Sequence, residues 1–227
     1  MNTEVLTKCR LFSSIEPAEA ARLCRRLGAY TRRYGAGQSV WLTGDPVTAA
    51  GLILAGSVRA EVLSPDGSRD LAAQQGAGGL VGDVLMTEGR ASPVDVLAAQ
   101  DGAELLFLPF DAIMDGGDDP ARAQLRRNLL QEIASKYWLL RRRVVCLRAP
   151  DLRGKIRIYL THCAEDSGAD TFLVPLDRQA MADYLAANRS ALCRELSAMR
   201  RDGLIDYYGA SFRLLFRSAP LEKSNKV

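Results

Sequence analysis

Residues 176–196 constrain the chain more than any other stretch. They run Leu176-Asp177-Arg178-Gln179-Ala180-Met181-Ala182-Asp183-Tyr184-Leu185-Ala186-Ala187-Asn188-Arg189-Ser190-Ala191-Leu192-Cys193-Arg194-Glu195-Leu196. The pattern predicts two short amphipathic helices joined by a tight turn. Asp177 is placed to cap the first, whose apolar face is Met181, Tyr184 and Leu185. Asn188 is placed to cap the second, with Leu192, Leu196 and Met199 as its buried stripe. Spacing then leaves Arg189, Ser190 and Arg194 exposed near the start of the second helix. This is the layout of a helix-turn-helix, whose second helix enters the major groove and touches base edges with its N-terminal residues.

Arginine suits the reading position because its guanidinium can bond guanine O6 and N7 together, worth about 1–3 kcal/mol of discrimination. Asn188, Ser190 and the helix N-terminus suit phosphate contacts, which position a protein without reading sequence. Arg178 and Gln179, at the start of the first helix, complete the expected DNA-binding set. Gly203-Leu204-Ile205 ends the unit, and Asp206 to Leu215 follows as a hairpin with its turn at Gly209, the wing of a winged helix.

Charge supports a polyanionic partner for this end of the chain. The net charge of +3 conceals an asymmetry: residues 1–120 hold 10 Lys/Arg against 16 Asp/Glu, and residues 121–227 hold 20 against 11. Only the basic half is suited to nucleic acid. The composition, 48% apolar and 25% charged over 227 residues, is that of a globular protein of one large or two smaller domains. No apolar run reaches membrane-spanning length, and the first residues lack the pattern of a signal peptide, so a cytoplasmic protein with no membrane partner is expected. The five cysteines, Cys9, Cys24, Cys146, Cys163 and Cys193, are odd in number and widely spaced, which argues against a disulfide framework.

From about Arg32 to Leu108 the pattern changes to short β-like runs punctuated by glycine. Gln38–Leu42 precedes a turn at Thr43-Gly44-Asp45-Pro46. Gly51–Gly56 and Ser57–Leu63 lead to Ser64-Pro65-Asp66-Gly67, where proline fixes φ and glycine accepts positive φ, a hairpin signal. Further runs fall at Val94–Ala98 and Glu104–Leu108. Many short strands at this spacing predict a sandwich, jelly roll or barrel. Helical patterns bracket the region, at Pro17–Leu27 and from the break at Gly116–Pro120 to about Leu147, where Ala149-Pro150 follows.

The long helix carries a heptad. Leu130, Ile133, Tyr137, Leu140, Val144 and Leu147 recur at intervals of 3, 4, 3, 4 and 3 residues, the seam of a two-helix coiled coil. An amphipathic helix lying on its own core is the alternative. A symmetric dimer would present two helix-turn-helix units to a two-fold operator.

An enzyme built on the β region would need several His and carboxylate ligands for a cupin-type metal site. The chain has a single histidine, His162, outside that region and expected as a partly exposed structural residue. No nucleophile–base pair or phosphate-cradling glycine loop stands out, and no metal site is expected. Cys9 and Cys24 do not supply the four thiolates of an iron–sulfur cluster. A thiol redox switch through either, or haem ligation by Cys or His, stays open.

With these residues in place, the chain resembles the cyclic AMP receptor/fumarate–nitrate regulator family over nearly its whole length. The matching segments are Tyr34-Gly35-Ala36-Gly37-Gln38, Gly44-Asp45, Leu52-Ile53-Leu54-Ala55-Gly56-Ser57-Val58, Gly82-Asp83, Asp151-Leu152-Arg153-Gly154-Lys155-Ile156, and the helix-turn-helix with Arg189 and Arg194. The resemblance implies an α+β protein: a β-roll sensor of jelly-roll, cyclic-nucleotide-binding-like form over 1–118, a long dimerisation helix over 119–148 and a winged helix-turn-helix over 149–227. It implies a transcriptional regulator in which an effector bound to the sensor reorients the two reading helices, with a double-stranded DNA operator, a second copy and RNA polymerase as partners. It places an effector site at Gly82, Asp83, Arg90, Ala91 and Ser92, with Leu140 and Arg141 from the long helix. A cyclic nucleotide is one candidate effector. Set against the family pattern, Asp83 is shorter than the usual glutamate, and Pro93 removes a backbone donor. The competing reading is a cyclic-nucleotide-like or thiol redox-sensing module whose helix-turn-helix contacts protein.

Overall fold

A computed structural model describes residues 5–6, 9–63, 69–115, 117 and 119–216. It divides into two compact units, residues 1–135 and 136–227. In the first, helix α1 (Pro17–Arg26) precedes six strands, β1 (Tyr30–Tyr34), β2 (Ser39–Trp41), β3 (Ala49–Leu63), β4 (Arg69–Gly76), β5 (Leu80–Val81) and β6 (Asp95–Pro109), then the short α2 (Phe110–Met114). Helix α3 (Pro120–Leu147) begins in this unit, and the division falls within it.

β3 and β6 form the antiparallel spine of the sheet, in the order β1-β6-β3-β4. The runs read separately at Gly51–Gly56 and Ser57–Leu63 belong to one strand, as do those at Val94–Ala98 and Glu104–Leu108. The reason is a paired irregularity in the middle of each. Gly56 and Gly102 both take positive φ, +71° and +72°, and the register shifts between Gly56 and Val58. A Cβ on Gly56 would lie 2.1 Å from the Gly102 carbonyl oxygen, and one on Gly102 would lie 2.8 Å from the Tyr34 oxygen. Two backbones cross where no side chain fits, so the glycines mark a bend and not the end of a strand. Beyond the bend, the partners change. One half of the spine pairs β1 and β5, and the other pairs β2 and β4.

Alternation along the spine divides its side chains between two cores. Ala49, Ile53, Val58, Val96, Ala98, Leu105 and Phe107 enclose one. Phe107 is its centre, stacked on Tyr30 at 5.1 Å and met edge-on by Trp41 at 5.7 Å and Tyr34 at 6.4 Å. Each such aromatic pair adds about 0.5–1.5 kcal/mol beyond area burial. Ala50, Leu52, Leu54, Leu106 and Leu108 point the other way, into a core shared with Leu23 of α1, Ile113 of α2 and Leu125 and Leu129 of α3. Burial on both faces explains the unbroken apolar run Leu52-Ile53-Leu54. Asn128 of α3 is buried in that core with its amide satisfied: Nδ2 donates to the carbonyls of Leu11 (2.9 Å) and Ser13 (2.8 Å), and Oδ1 accepts from Gln124 (2.9 Å).

The second unit contains the rest of α3, then α4 (Leu152–Ser167), β7 (Thr171–Leu173), α5 (Arg178–Tyr184), α6 (Arg189–Arg201), β8 (Ile205–Tyr208) and β9 (Ser211–Leu214). Its core joins Cys146 of α3, Ile156 and Leu160 of α4, Met181 and Leu185, the stripe of α6, and Ile205 and Phe212 of the small sheet β7-β9-β8. His162, expected to be partly exposed, is buried instead. It follows Tyr159 and Leu160 on the inward face of α4, and burial depresses the pKa of its imidazole, with Arg142 acting in the same direction.

The turn expected at Ser64–Gly67 and the tail from Ser218 lie outside the described residues. Among the described residues, no helix is long and apolar enough to cross a membrane.

Gly56→Ala should destabilise the first unit by about 2–4 kcal/mol, through positive φ and a steric clash together. Urea unfolding followed by the fluorescence of Trp41 measures it; an unchanged midpoint would contradict the close crossing.

The buried imidazole also fixes a pH dependence. A folded pKa below the ordinary 6.5 means that the unfolded chain takes up the proton first as pH falls. The second unit therefore loses stability as pH drops below about 6.5. His162→Gln should flatten this loss between pH 7 and 5 in denaturation curves.

Candidate nucleic-acid interface

Local chemistry builds the two helices. The Asp177 carboxylate accepts from the Ala180 N–H at 2.8 Å, and the Asn188 side chain accepts from the Ala191 N–H at 2.9 Å, so each helix starts on a side-chain cap. The Ser190 hydroxyl donates to the same Asn188 oxygen at 3.0 Å. Met181, Ala182, Leu185, Leu192, Leu196 and Met199 are buried in one core, which fixes the rotation of both helices. Between them Ala186 adopts φ +49°, a left-handed conformation costing an L-residue about 1–2 kcal/mol. The turn holds it: the Ala186 N–H donates to Asp183 O and the Ala187 N–H to Ala182 O.

Arg189, Ser190 and Arg194 are all exposed: Ser190 and Arg194 lie on the face of α6 away from its buried stripe, and Arg189 is in the first turn, before the stripe begins at Leu192. The acidic neighbour Glu195 is neutralised from α4. Arg153 donates to Glu195 at 2.5 Å and to Asp202 at 2.7 Å, gripping α6 at a carboxylate midway along it and at the residue that closes its C-terminal end, which raises the pKa of Arg153. Lys155 donates to the Leu185 carbonyl in the inter-helix turn at 3.2 Å. Arg143 of α3 donates to the carbonyls of Asp183 and Tyr184 at the end of α5, both at 3.2 Å. These three cations orient the reading helix, and local spacing does not reveal them, because their partners lie about 30 to 50 residues away.

Gln179 is exposed, and its amide donates to Asp183 at 2.9 Å. Arg178, expected on DNA, is only half-exposed and is directed at the wing: it donates to the Gly209 carbonyl at 2.9 Å. β8 and β9 form that wing as an antiparallel hairpin with Gly209 at positive φ, and β7 adds a third strand.

The sensor segment is arranged differently from a converging phosphate grip. Gly82 packs its backbone against Trp41 and Val47, and Asp83 beside it is buried. A 3₁₀ turn over Leu85–Glu88 follows. Arg90 is exposed and its Nε pairs with Glu88, whereas Ser92 is buried and its hydroxyl donates to the Val94 carbonyl at 2.6 Å. Ala91 is exposed and bridges to Pro46. Leu140 and Arg141 belong to the second unit, where Leu140 is exposed and the Arg141 guanidinium lies 5.2 Å from the Trp138 ring.

All five cysteines are free thiols. Burial raises the pKa of Cys9, and that of Cys24 to about 11, so at neutral pH both are protonated groups packed in the core. Thiol reactivity requires the thiolate, which this environment disfavours.

Along α3, Leu130, Tyr137, Leu140 and Val144 are exposed, between 47% and 67%. Ile133 packs partly on the helical core of the first unit, and Leu147 is partly buried.

A β-roll followed by a long helix and a capped, winged helix-turn-helix defines a transcriptional regulator with separate sensor and DNA-binding domains. Comparison with known proteins agrees. Residues 31–115 match the family model of the cyclic nucleotide-binding domain, and residues 154–219 match the Crp-like helix-turn-helix domain. The chain is 29% identical over 190 residues to the transcriptional activator protein FnrL of Cereibacter sphaeroides, covering 79% of this chain and 74% of that protein. Among solved structures it shares the fold of CprK complexed with OCPA (TM-score 0.57, 15% identity, 86% of this chain and 91% of that one). It also shares the fold of the c-di-GMP-responsive regulator CLP of Xanthomonas campestris (TM-score 0.51, 20% identity, 87% and 100%). The protein belongs to the cyclic AMP receptor/fumarate–nitrate regulator family of transcriptional regulators.

Ala186→Gly should stabilise the second unit by about 1 kcal/mol by relieving the left-handed alanine. Denaturant midpoints measure it, and a loss of stability would show that the methyl group contributes packing instead.

Proposed function

We propose that the protein acts as a homodimer on a two-fold-symmetric DNA operator, each protomer presenting α6 to a major groove. Arg189 and Arg194 read bases, and Asn188, Ser190 and Gln179 contact phosphates. The observation that carries this reading is the exposure of Arg189, Ser190 and Arg194 over the first turns of a helix whose stripe Leu192–Leu196–Met199 is buried and whose acidic neighbour Glu195 is held by Arg153. A surface offered to a polyanion in this way has its cations free to meet phosphate and its carboxylate screened.

The dimer seam in this reading is Leu130, Ile133, Tyr137, Leu140, Val144 and Leu147, in the three-part division 1–118, 119–148 and 149–227. Four large apolar side chains exposed along one helix support it, since such a stripe is stabilised when a second helix covers it. A small effector acts at the roll, around Gly82, Asp83, Arg90, Ala91 and Ser92, and favours the DNA-competent arrangement by binding it more tightly. A phosphate-bearing effector would have to take Arg90 from Glu88 and turn the Ser92 hydroxyl from Val94. Contact with RNA polymerase belongs to this regulator reading.

Binding to a duplex selected from a random pool should weaken steeply with salt, with a log–log slope of about −0.9 per phosphate contact. Arg189→Ala and Arg194→Ala should each cost about 1–3 kcal/mol and relax base preference. Salt-independent binding, or unchanged selectivity, would overturn the assignment. Leu140→Asp places a charge in the seam and should convert the dimer to monomers in sedimentation; an unchanged profile would rule the seam out.

A further inference from the structure

We propose that the end of the dimer seam is an anion site shared by two copies, in which Arg143 of one copy and Arg148 of the other hold a small, multivalent, phosphate-bearing anion that favours association. The inference rests on the dimer reading above and concerns what regulates that dimer.

The charges of α3 carry the inference. Between Pro120 and Leu147 the helix holds seven Lys/Arg and a single carboxylate, Glu132. The heptad that sets Tyr137, Leu140 and Val144 in the seam sets Lys136, Arg141, Arg143 and Arg148 on its two flanks. Arg148 follows the last helical residue but keeps the helical geometry, its N–H donating to the Val144 carbonyl at 3.1 Å. In a parallel pair, which two reading heads at one end of the dimer require, flanking residues meet across the seam. Lys136 then faces Arg141 of the second copy, and Arg143 faces Arg148 of the second copy. Coiled coils ordinarily set opposite charges at these positions, whereas here cation meets cation on both flanks. Within one chain the row is tolerated, because cations near a helix C-terminus meet the negative end of its dipole. The conflict arises only when two copies come together.

The rest of the second unit leaves that charge standing. Arg142, turned away from the seam, is paired with Asp166 at 2.6 Å. Arg143 bonds only the carbonyls of Asp183 and Tyr184, both at 3.2 Å, and its guanidinium lies 5.6 Å from the Tyr184 ring. Those acceptors are neutral, so they orient the guanidinium without cancelling its charge. Arg143 and Arg148 are both exposed, and among the described residues neither is ion-paired with a carboxylate. Between the flanks, the exposed Tyr137, Leu140 and Val144 draw two copies together. The cations cannot separate without uncovering that apolar stripe. A ligand that resolves the conflict must be anionic, must span two guanidiniums and must be small enough to lie beside the seam. Phosphate groups fit, because each guanidinium fork bonds two of their oxygens at once. A monovalent ion screens the pair but does not bridge it. One copy supplies half the site, so binding and association are coupled.

The test is sedimentation equilibrium on the full chain, with inorganic tripolyphosphate as the probe. Raising NaCl from about 50 to about 500 mM should tighten the dimer about tenfold, the scale of several like-charge pairs being screened. At the lower salt, about 1 mM tripolyphosphate should tighten it as much, and NaCl of matched ionic strength should not. Arg148→Glu sets opposite charges on the flank. It should give a tighter dimer at low salt that loosens as salt rises, and it should no longer respond to tripolyphosphate. A wild-type dimer that loosens with salt, or ignores both salt and tripolyphosphate, would overturn the anion site and leave the seam intact. An equal tripolyphosphate response in Arg148→Glu would place the anion elsewhere and overturn the assignment. Tightening by a DNA duplex but not by tripolyphosphate would give the arginines to DNA phosphates and overturn the small-anion site. A protein that stays monomeric under every condition would overturn the dimer reading itself.

Discussion

The close crossing of Gly56 and Gly102 governs the first unit. It lets the two longest strands bend together, so that one continuous pair serves both halves of the roll and its side chains fill two separate cores. A methyl group at either position would meet backbone, which cannot give way as a side-chain end can. The aromatic cluster about Phe107 and the helical core around Leu52 and Leu106 both depend on that bend, because each draws on residues of the same spine. In physical terms the fold trades a small conformational cost at two glycines for a large apolar area removed from water.

In the second unit the organising interactions are ionic and distant in sequence. Arg153 spans two carboxylates of α6, Lys155 holds the turn, and Arg143 closes the end of α5. Exposed ion pairs contribute little to stability singly. Their consequence here is orientation: a helix held at Glu195 and Asp202, with its apolar stripe buried, presents Arg189 and Arg194 in one direction only. The same carboxylates, left unpaired, would oppose approach to phosphate.

The sensor shows why a recognisable motif does not fix its chemistry. Arg90 and Ser92 are two residues apart and look like a phosphate grip. In the fold, one is exposed and paired with Glu88, and the other is buried against Val94. Competition from a neighbouring carboxylate and a neighbouring carbonyl decides their state. For His162, the helical pattern located the residue on α4 but not the core that surrounds it.

Features set by neighbours in sequence were legible without a structure. The caps Asp177 and Asn188, the stripe Leu192–Leu196–Met199, the wing turn at Gly209 and the limits of the long helix all follow from interactions within a few residues. The continuity of β3 and β6 was not legible, because a glycine that bends a strand and one that ends it look alike until its crossing partner is known. Nor was the direction of Arg178, since an exposed-looking arginine at a helix start can serve DNA or a hairpin 31 residues away. Sequence periodicity thus determined which surfaces are buried and which helix is offered outward. Tertiary structure alone decided which charges meet, because opposite charges pair by distance in space, and the chain brings those partners together only once its cores have formed.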